Sequence, residues 1–199
     1  MVKLLDLLRE VSSDIPEVDY IKNPITTLYH GTSNKYPEIN LSNLKIERDE
    51  GMDNTWASGF NITSGADQCI GFYLSKSSGI NKFPEMERNS AMAFANSARD
   101  QYLLKLMGGN KRKFKSSSEK AEMLIYEVKL KPDVVLKNGI YSCVQKHHMD
   151  KLLAFDGLQQ KKGLETVIWN KDKIQSIKLI KRGVYNPDST SWRDKIILK

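Results

Sequence analysis

The sequence predicts an α+β fold, on three observations. Short apolar runs of strand length recur from Ile25 to Ile180, while few stretches hold a helical period. These segments do not alternate as strand, helix, strand, so a doubly wound parallel sheet is not expected. Neither a GxGxxG turn nor a P-loop follows any candidate strand, which removes the Rossmann and NTPase readings. At 199 residues the chain is one domain by default and long enough to bury a core without disulfide or metal staples. The expected organisation is a helical appendage over 1–24, a main domain over 25–182 and a tail over 183–199.

Along the chain, Leu4, Leu5, Leu8 and Val11 fall on one face of a helix over 2–12. Pro16 and Asn23-Pro24 bracket a connector. Ile25 to Tyr29 reads as a short strand running straight into His30-Gly31-Thr32-Ser33. Residues 34–69 are polar and poor in period, long for a structureless connection, and suggest a lid or binding loop. Gly71-Phe72-Tyr73-Leu74-Ser75 is the next strand, and a loop follows over 76–89. Ser90 suits a helix N-cap. Ala91, Phe94, Ala95, Ala98, Tyr102 and Leu106 then trace one helical stripe, closed by Gly108-Gly109-Asn110. A basic loop spans 111–118, a short helix is expected over 119–123, and Leu124 to Leu130 alternates as a strand with one buried face. Lys131-Pro132-Asp133 turns. Val144 to Ala154 reads as a short helix carrying His147 and His148. Thr166 to Trp169 and Ile174 to Ile180 are two further strands, parted by a turn at Asn170-Lys171-Asp172.

Charge is uneven. The net charge is +7, with 10 Lys/Arg against 13 Asp/Glu in residues 1–99 and 21 against 11 in residues 100–199. A basic second half favours anionic partners such as nucleotides, nucleic acid or an acidic protein face, or else forms a solvated lysine-rich surface. No aromatic-interleaved RNA platform accompanies it. No apolar run approaches the ~18 residues of a membrane span, and charges interrupt the apolar N-terminus, so neither a membrane partner nor a secretory signal is expected and the protein reads as cytoplasmic. Cys69 and Cys143 form no CxxC pair. Two reduced buried thiols are expected, with a single disulfide as the alternative. With only His30, His147 and His148 besides, no metal site is expected.

Three short pieces carry candidate chemistry: an imidazole at a strand end in Tyr29-His30-Gly31-Thr32, an aromatic in Gly71-Phe72-Tyr73-Leu74-Ser75, and a carboxylate opening a strand in Glu165-Thr166-Val167-Ile168-Trp169-Asn170. Each residue alone is more often structural or solvated. Taken in order, with Ala91-Met92-Ala93-Phe94-Ala95, Tyr126-Glu127-Val128-Lys129-Leu130 and Phe155-Asp156-Gly157-Leu158 between them, the series resembles the ADP-ribosyltransferase superfamily. The likeness is to short bacterial and phage domains of the polyvalent-protein type, in the His-Tyr-Glu branch shared with diphtheria toxin and poly(ADP-ribose) polymerases, over about residues 27–181.

The resemblance implies two small, mostly antiparallel sheets around an NAD cleft with flanking helices. NAD would be the ADP-ribose donor, and breaking its nicotinamide bond leaves an oxocarbenium-like ribose. His30 matches the histidine that bonds the adenosine-side ribose hydroxyl, and Gly31 the position whose backbone grips the carboxamide, with Thr32 beside it. Tyr73 matches the first nicotinamide-packing aromatic, Phe94 falls near the second, and Ser75 closes the second motif. Glu165 matches the catalytic glutamate, whose carboxylate stabilises the growing positive charge. Where part of the family carries Glu or Gln two residues earlier, this chain has Gly163, with Gln159 and Gln160 off register; arginine transfer is disfavoured. The expected activity is mono-ADP-ribosyl transfer to a macromolecular acceptor, protein before nucleic acid. The alternatives are an NAD glycohydrolase, a nucleic-acid ADP-ribosyltransferase, an RNA 2′-phosphotransferase and a non-catalytic ADP-ribose-binding module.

Overall fold

In a computed structural model, the described residues are 21–34, 38–42, 44, 71–82, 87–106, 108, 122–139, 152, 154–185 and 196–199. Eight strands form one α+β sheet: β1 (Thr27–Ser33), β2 (Phe72–Ser75), β3 (Met123–Leu130), β4 (Leu136–Asn138), β5 (Gly157–Gln159), β6 (Glu165–Ile168), β7 (Ile174–Tyr185) and β8 (Ile196–Leu198). Their order across the sheet is β4-β5-β6-β2-β1-β3-β7-β8, antiparallel throughout except for β4 against β5.

The expected pair of separate sheets is therefore one hydrogen-bonded sheet, but it is pinched. β1 pairs with β3 over its whole length, and β2 pairs with β6 over its whole length, whereas β1 and β2 meet at the single position Tyr29↔Ser75. Beyond that point the two strands part, because β2 has a partner on its other edge and β1 is held by β3.

Helix α1 (Ala91–Leu106) lies on β1 and β3. Ser90 is its N-cap as expected: the hydroxyl accepts the Ala93 amide at 3.2 Å. The buried stripe is rotated from the expected one. Ala91, Met92, Ala95, Ala98, Arg99 and Leu103 are buried, while Phe94 and Tyr102 are half-buried. Close approach decides the rotation. A Cβ on Gly31 would lie 1.7 Å from the Ala91 carbonyl oxygen and 2.7 Å from the Ala95 nitrogen, so the helix backbone rests directly on β1 through its alanines.

The opposite face carries the largest core, with Leu28, Phe72, Leu74, Leu124, Tyr126, Val128, Leu136 and Ile168 among its members. Ile39 and Leu44 belong to it too, so the start of the polar 34–69 stretch is anchored in the core rather than lying loose over it. A third cluster of Leu152, Phe155, Leu158, Val167 and Trp169 backs β5 and β6, and the Trp169 indole donates to the Phe155 carbonyl at 2.6 Å.

Several strands differ from expectation in extent. β1 runs through His30-Gly31-Thr32 instead of ending before them. β7 continues to Tyr185, and β8 pairs with it, so the sheet extends past residue 182. The 170–172 turn is a short 3-10 turn over Lys171–Lys173, capped by Asn170, whose side chain accepts the Asp172 amide. The helices expected over 2–12 and 144–154 fall wholly or mostly outside the described residues, as do the bulk of the 34–69 stretch, the basic loop 111–118 and both cysteines. No described helix is long and apolar enough to cross a membrane.

Because the contact at Gly31 is backbone on backbone, a methyl group there cannot be absorbed by a rotamer change. Gly31→Ala is expected to destabilise the fold by more than about 2 kcal/mol, seen as a lower urea midpoint at unchanged slope. A midpoint equal to wild type would show that α1 does not rest on β1 in this way.

Candidate functional site

His30, Tyr73 and Glu165 stand on the three adjacent strands β1, β2 and β6, around the pinch. The register defines how they relate. Tyr29 faces Ser75 across β1 and β2, Ser75 faces Glu165, and Tyr73 faces Val167. Paired residues share a face and alternate residues lie on the same side. Glu165, Ser75, Tyr73 and Tyr29 therefore belong to the helix-covered face. His30 is one residue out of step and belongs to the opposite face, where its ring lies 4.8 Å from that of Phe72. The structure thus brings Tyr73 and Glu165 to one side of the sheet and His30 to the other.

What joins the two sides is a hydrogen bond through the pinch. His30 Nδ1 lies 2.9 Å from the Tyr73 carbonyl oxygen. A carbonyl only accepts, so Nδ1 carries the proton and Nε2 presents a lone pair. The ring is buried, and Nε2 has no hydrogen-bond partner among the described residues. Loss of hydration drives the imidazole pKa down to about 4, against the opposing pull of the Tyr73 carbonyl, so the ring is neutral near neutral pH. A buried acceptor without a donor is costly unless a water or a ligand hydroxyl donates to it.

Glu165 opens β6 beside the turn from β5. Its amide donates to the Gln160 side-chain oxygen at 3.4 Å, and its carbonyl accepts the Gln160 amide at 3.0 Å. The carboxylate itself makes no hydrogen bond or ion pair among the described residues. Burial pushes its pKa up, with no neighbouring cation pulling it back. The Gln160 carboxamide fills the volume that a side chain at 163 would take, since a Cβ on Gly163 would lie 1.7 Å from it. The Lys76 ammonium donates to the Gln160 backbone carbonyl, and the Lys76 amide donates to Leu164 O at 2.7 Å, which ties the exit of β2 to the entry of β6.

The remaining expected site residues have assignable roles in the fold. Gly31 is held glycine by α1, a reason different from room for a carboxamide. Thr32 is buried on the His30 face. Ser75 is also buried; its hydroxyl donates to Asn89 O at 2.6 Å and accepts the Ser77 amide at 3.1 Å, so it pins the turn before α1. Phe94 lies half-buried on α1. The first amides of α1 are also engaged, by Ser77 O, Ser78 O and the Ser90 hydroxyl, so this helix start offers no ready anion site.

Three supporting residues escaped the sequence reading. Phe72 stacks on His30, and the Asp156 carboxylate accepts from Val135 N and the Asn170 side chain. Buried Gln159 clamps Ile25 through both its amide nitrogen and its carbonyl and also donates to Thr166. Asp156 and Asn170 were visible as turn formers; nothing in the sequence marks Gln159 as buried. No cluster of three or more His, Cys, Asp or Glu suited to a metal exists among the described residues. The chain matches no protein-family model, no curated protein and no solved structure.

The depressed histidine pKa has a thermodynamic consequence. Its contribution to stability is complete above the unfolded value of 6.5 and is lost as pH falls towards about 4. The wild type should lose about 3 kcal/mol between pH 7 and pH 4 relative to His30→Gln, measured by urea unfolding of both at each pH. Parallel pH dependence of the two proteins would show that His30 is not buried neutral.

Proposed function

We propose that the protein is an NAD-dependent mono-ADP-ribosyltransferase that works at the pinch between β1 and β2. The observation that carries this reading is the His30–Tyr73 hydrogen bond. It ties two of the three resembling motifs together in space and leaves a buried imidazole nitrogen with an unfilled lone pair. The third motif follows on the next strand, with Glu165 two residues along from the partner of Tyr73 and on the same face as the Tyr73 ring.

The chain's own groups divide the work. His30 Nε2 accepts from a ribose hydroxyl of the dinucleotide and so fixes its position; the ring can do this only while neutral, which burial secures. The half-buried Tyr73 ring offers a flat apolar wall for the nicotinamide. NAD supplies the scissile bond, between the ribose C1′ and the nicotinamide nitrogen, and the bonding pair leaves with neutral nicotinamide. Positive charge grows on the ribose as this happens. The Glu165 carboxylate, short of water and of counter-charge, interacts with that charge more strongly in the transition state than in the ground state, which is the condition for raising the rate. An acceptor nucleophile then bonds to C1′ and gives up its proton.

Glu165→Gln keeps the size of the side chain and removes its charge. It should lower transfer from labelled NAD by at least about a hundredfold, the scale of losing one such electrostatic group, while NAD affinity by calorimetry stays within a few-fold. His30→Ala should instead weaken NAD binding. In the wild type the acid limb of the rate profile should lie above the ordinary carboxylate range, because the acting Glu165 carboxyl is raised by burial. A fully active Glu165→Gln, or NAD affinity unchanged in His30→Ala, overturns the reading.

A further inference from the structure

Three segments that border the start of β6 carry cations. The exit of β2 carries Lys76, directly after the Ser75 that pairs with Glu165. The turn before α1 carries exposed Arg88, next to the Asn89 carbonyl that accepts from Ser75. The β5–β6 turn carries exposed Lys161 and Lys162, four and three residues before Glu165. None of the four makes an ion pair among the described residues. Among the described residues the acids close by are Glu165 itself and Glu87, which is already held by Lys82 at 2.7 Å and by the Ser77 hydroxyl. The rim is thus net positive around a lone carboxylate.

Resting on the proposed activity, we propose that this rim docks a nucleic-acid strand and that the strand is the acceptor. Phosphate contacts from Lys and Arg supply most of the affinity for nucleic acid and position it without reading sequence. A protein partner of comparable affinity is anchored by apolar and aromatic side chains buried at the centre of the interface. The rim has none. Ile25 is the one exposed large hydrophobic among the described residues, and it is tied by Gln159 on the opposite face of the sheet. Cations from three separate segments without an exposed apolar anchor among the described residues suit a flexible chain of phosphates. This reverses the order of acceptors expected from sequence, where protein stood first.

The test uses the full chain and a fluorescein-labelled 20-nucleotide single strand, as DNA and as RNA. Anisotropy should show binding that weakens about tenfold or more between 50 and 200 mM salt. The triple variant Arg88→Glu/Lys161→Glu/Lys162→Glu should bind at least tenfold more weakly at low salt, with a flatter salt dependence, and should keep wild-type NAD affinity and circular dichroism. With radiolabelled NAD, label should appear on the oligonucleotide and resist protease but not nuclease. Absent binding, binding unchanged in the triple variant, tighter binding of poly-glutamate than of the oligonucleotide, or label only in protein overturns the proposal. If the wild type neither binds nor cleaves NAD, the transferase reading and the acceptor role fall together, while the anisotropy result still judges the docking surface alone.

Discussion

The site depends on one hydrogen bond across a gap in a sheet. β1 and β2 share a single paired position, and just beyond it the His30 imidazole donates to the Tyr73 carbonyl. A backbone carbonyl facing an unpaired edge inside a protein needs a donor, and a histidine side chain supplies it where the neighbouring strand has turned away. The bond also selects the tautomer, which leaves the second nitrogen as an acceptor, and burial keeps the ring uncharged. Each strand is held in turn by what lies behind it. α1 presses on β1 through Gly31, Ser75 pins the turn before α1, and the Gln160–Lys76–Leu164 contacts join β2 to the start of β6.

Electrostatics complete the picture on the other face. Glu165 is partly stripped of water without receiving a counter-charge. Lys76 is occupied with a backbone carbonyl, and Lys161, Lys162 and Arg88 are carried on neighbouring turns. A carboxylate kept apart from nearby cations retains its full field for a positive charge that develops in a bound substrate.

Much of the architecture was legible in the residues. β2, β3 and β6 were placed nearly to the residue, because each pairs apolar runs or alternation with a clear turn signal on at least one side. The Ser90 cap was equally plain. β4, β5 and β8 were not legible: each has three residues, too few to show a period, and each exists because a neighbouring strand offers an edge. The buried stripe of α1 was legible in Ala91, Ala95 and Ala98 but misread at Phe94 and Tyr102, because the helix turns to bring its alanines against a glycine. Ile39 and Leu44 were hidden in a polar stretch, where two isolated apolar residues carry no pattern.

The sequence by itself determined the α+β class, the main strands, the capped helix, the basic second half and the three short motifs that carry the candidate chemistry. These are local properties, written in periodicity, turn residues and composition. Only the tertiary structure decided that His30 and Glu165 lie on opposite faces, that Gly31 answers to a helix, and that Gln160 fills the space beside Gly163. Strand pairing made those decisions. One register position defines which face every residue of a strand presents, and no single strand contains the information that sets its register against a partner far along the chain.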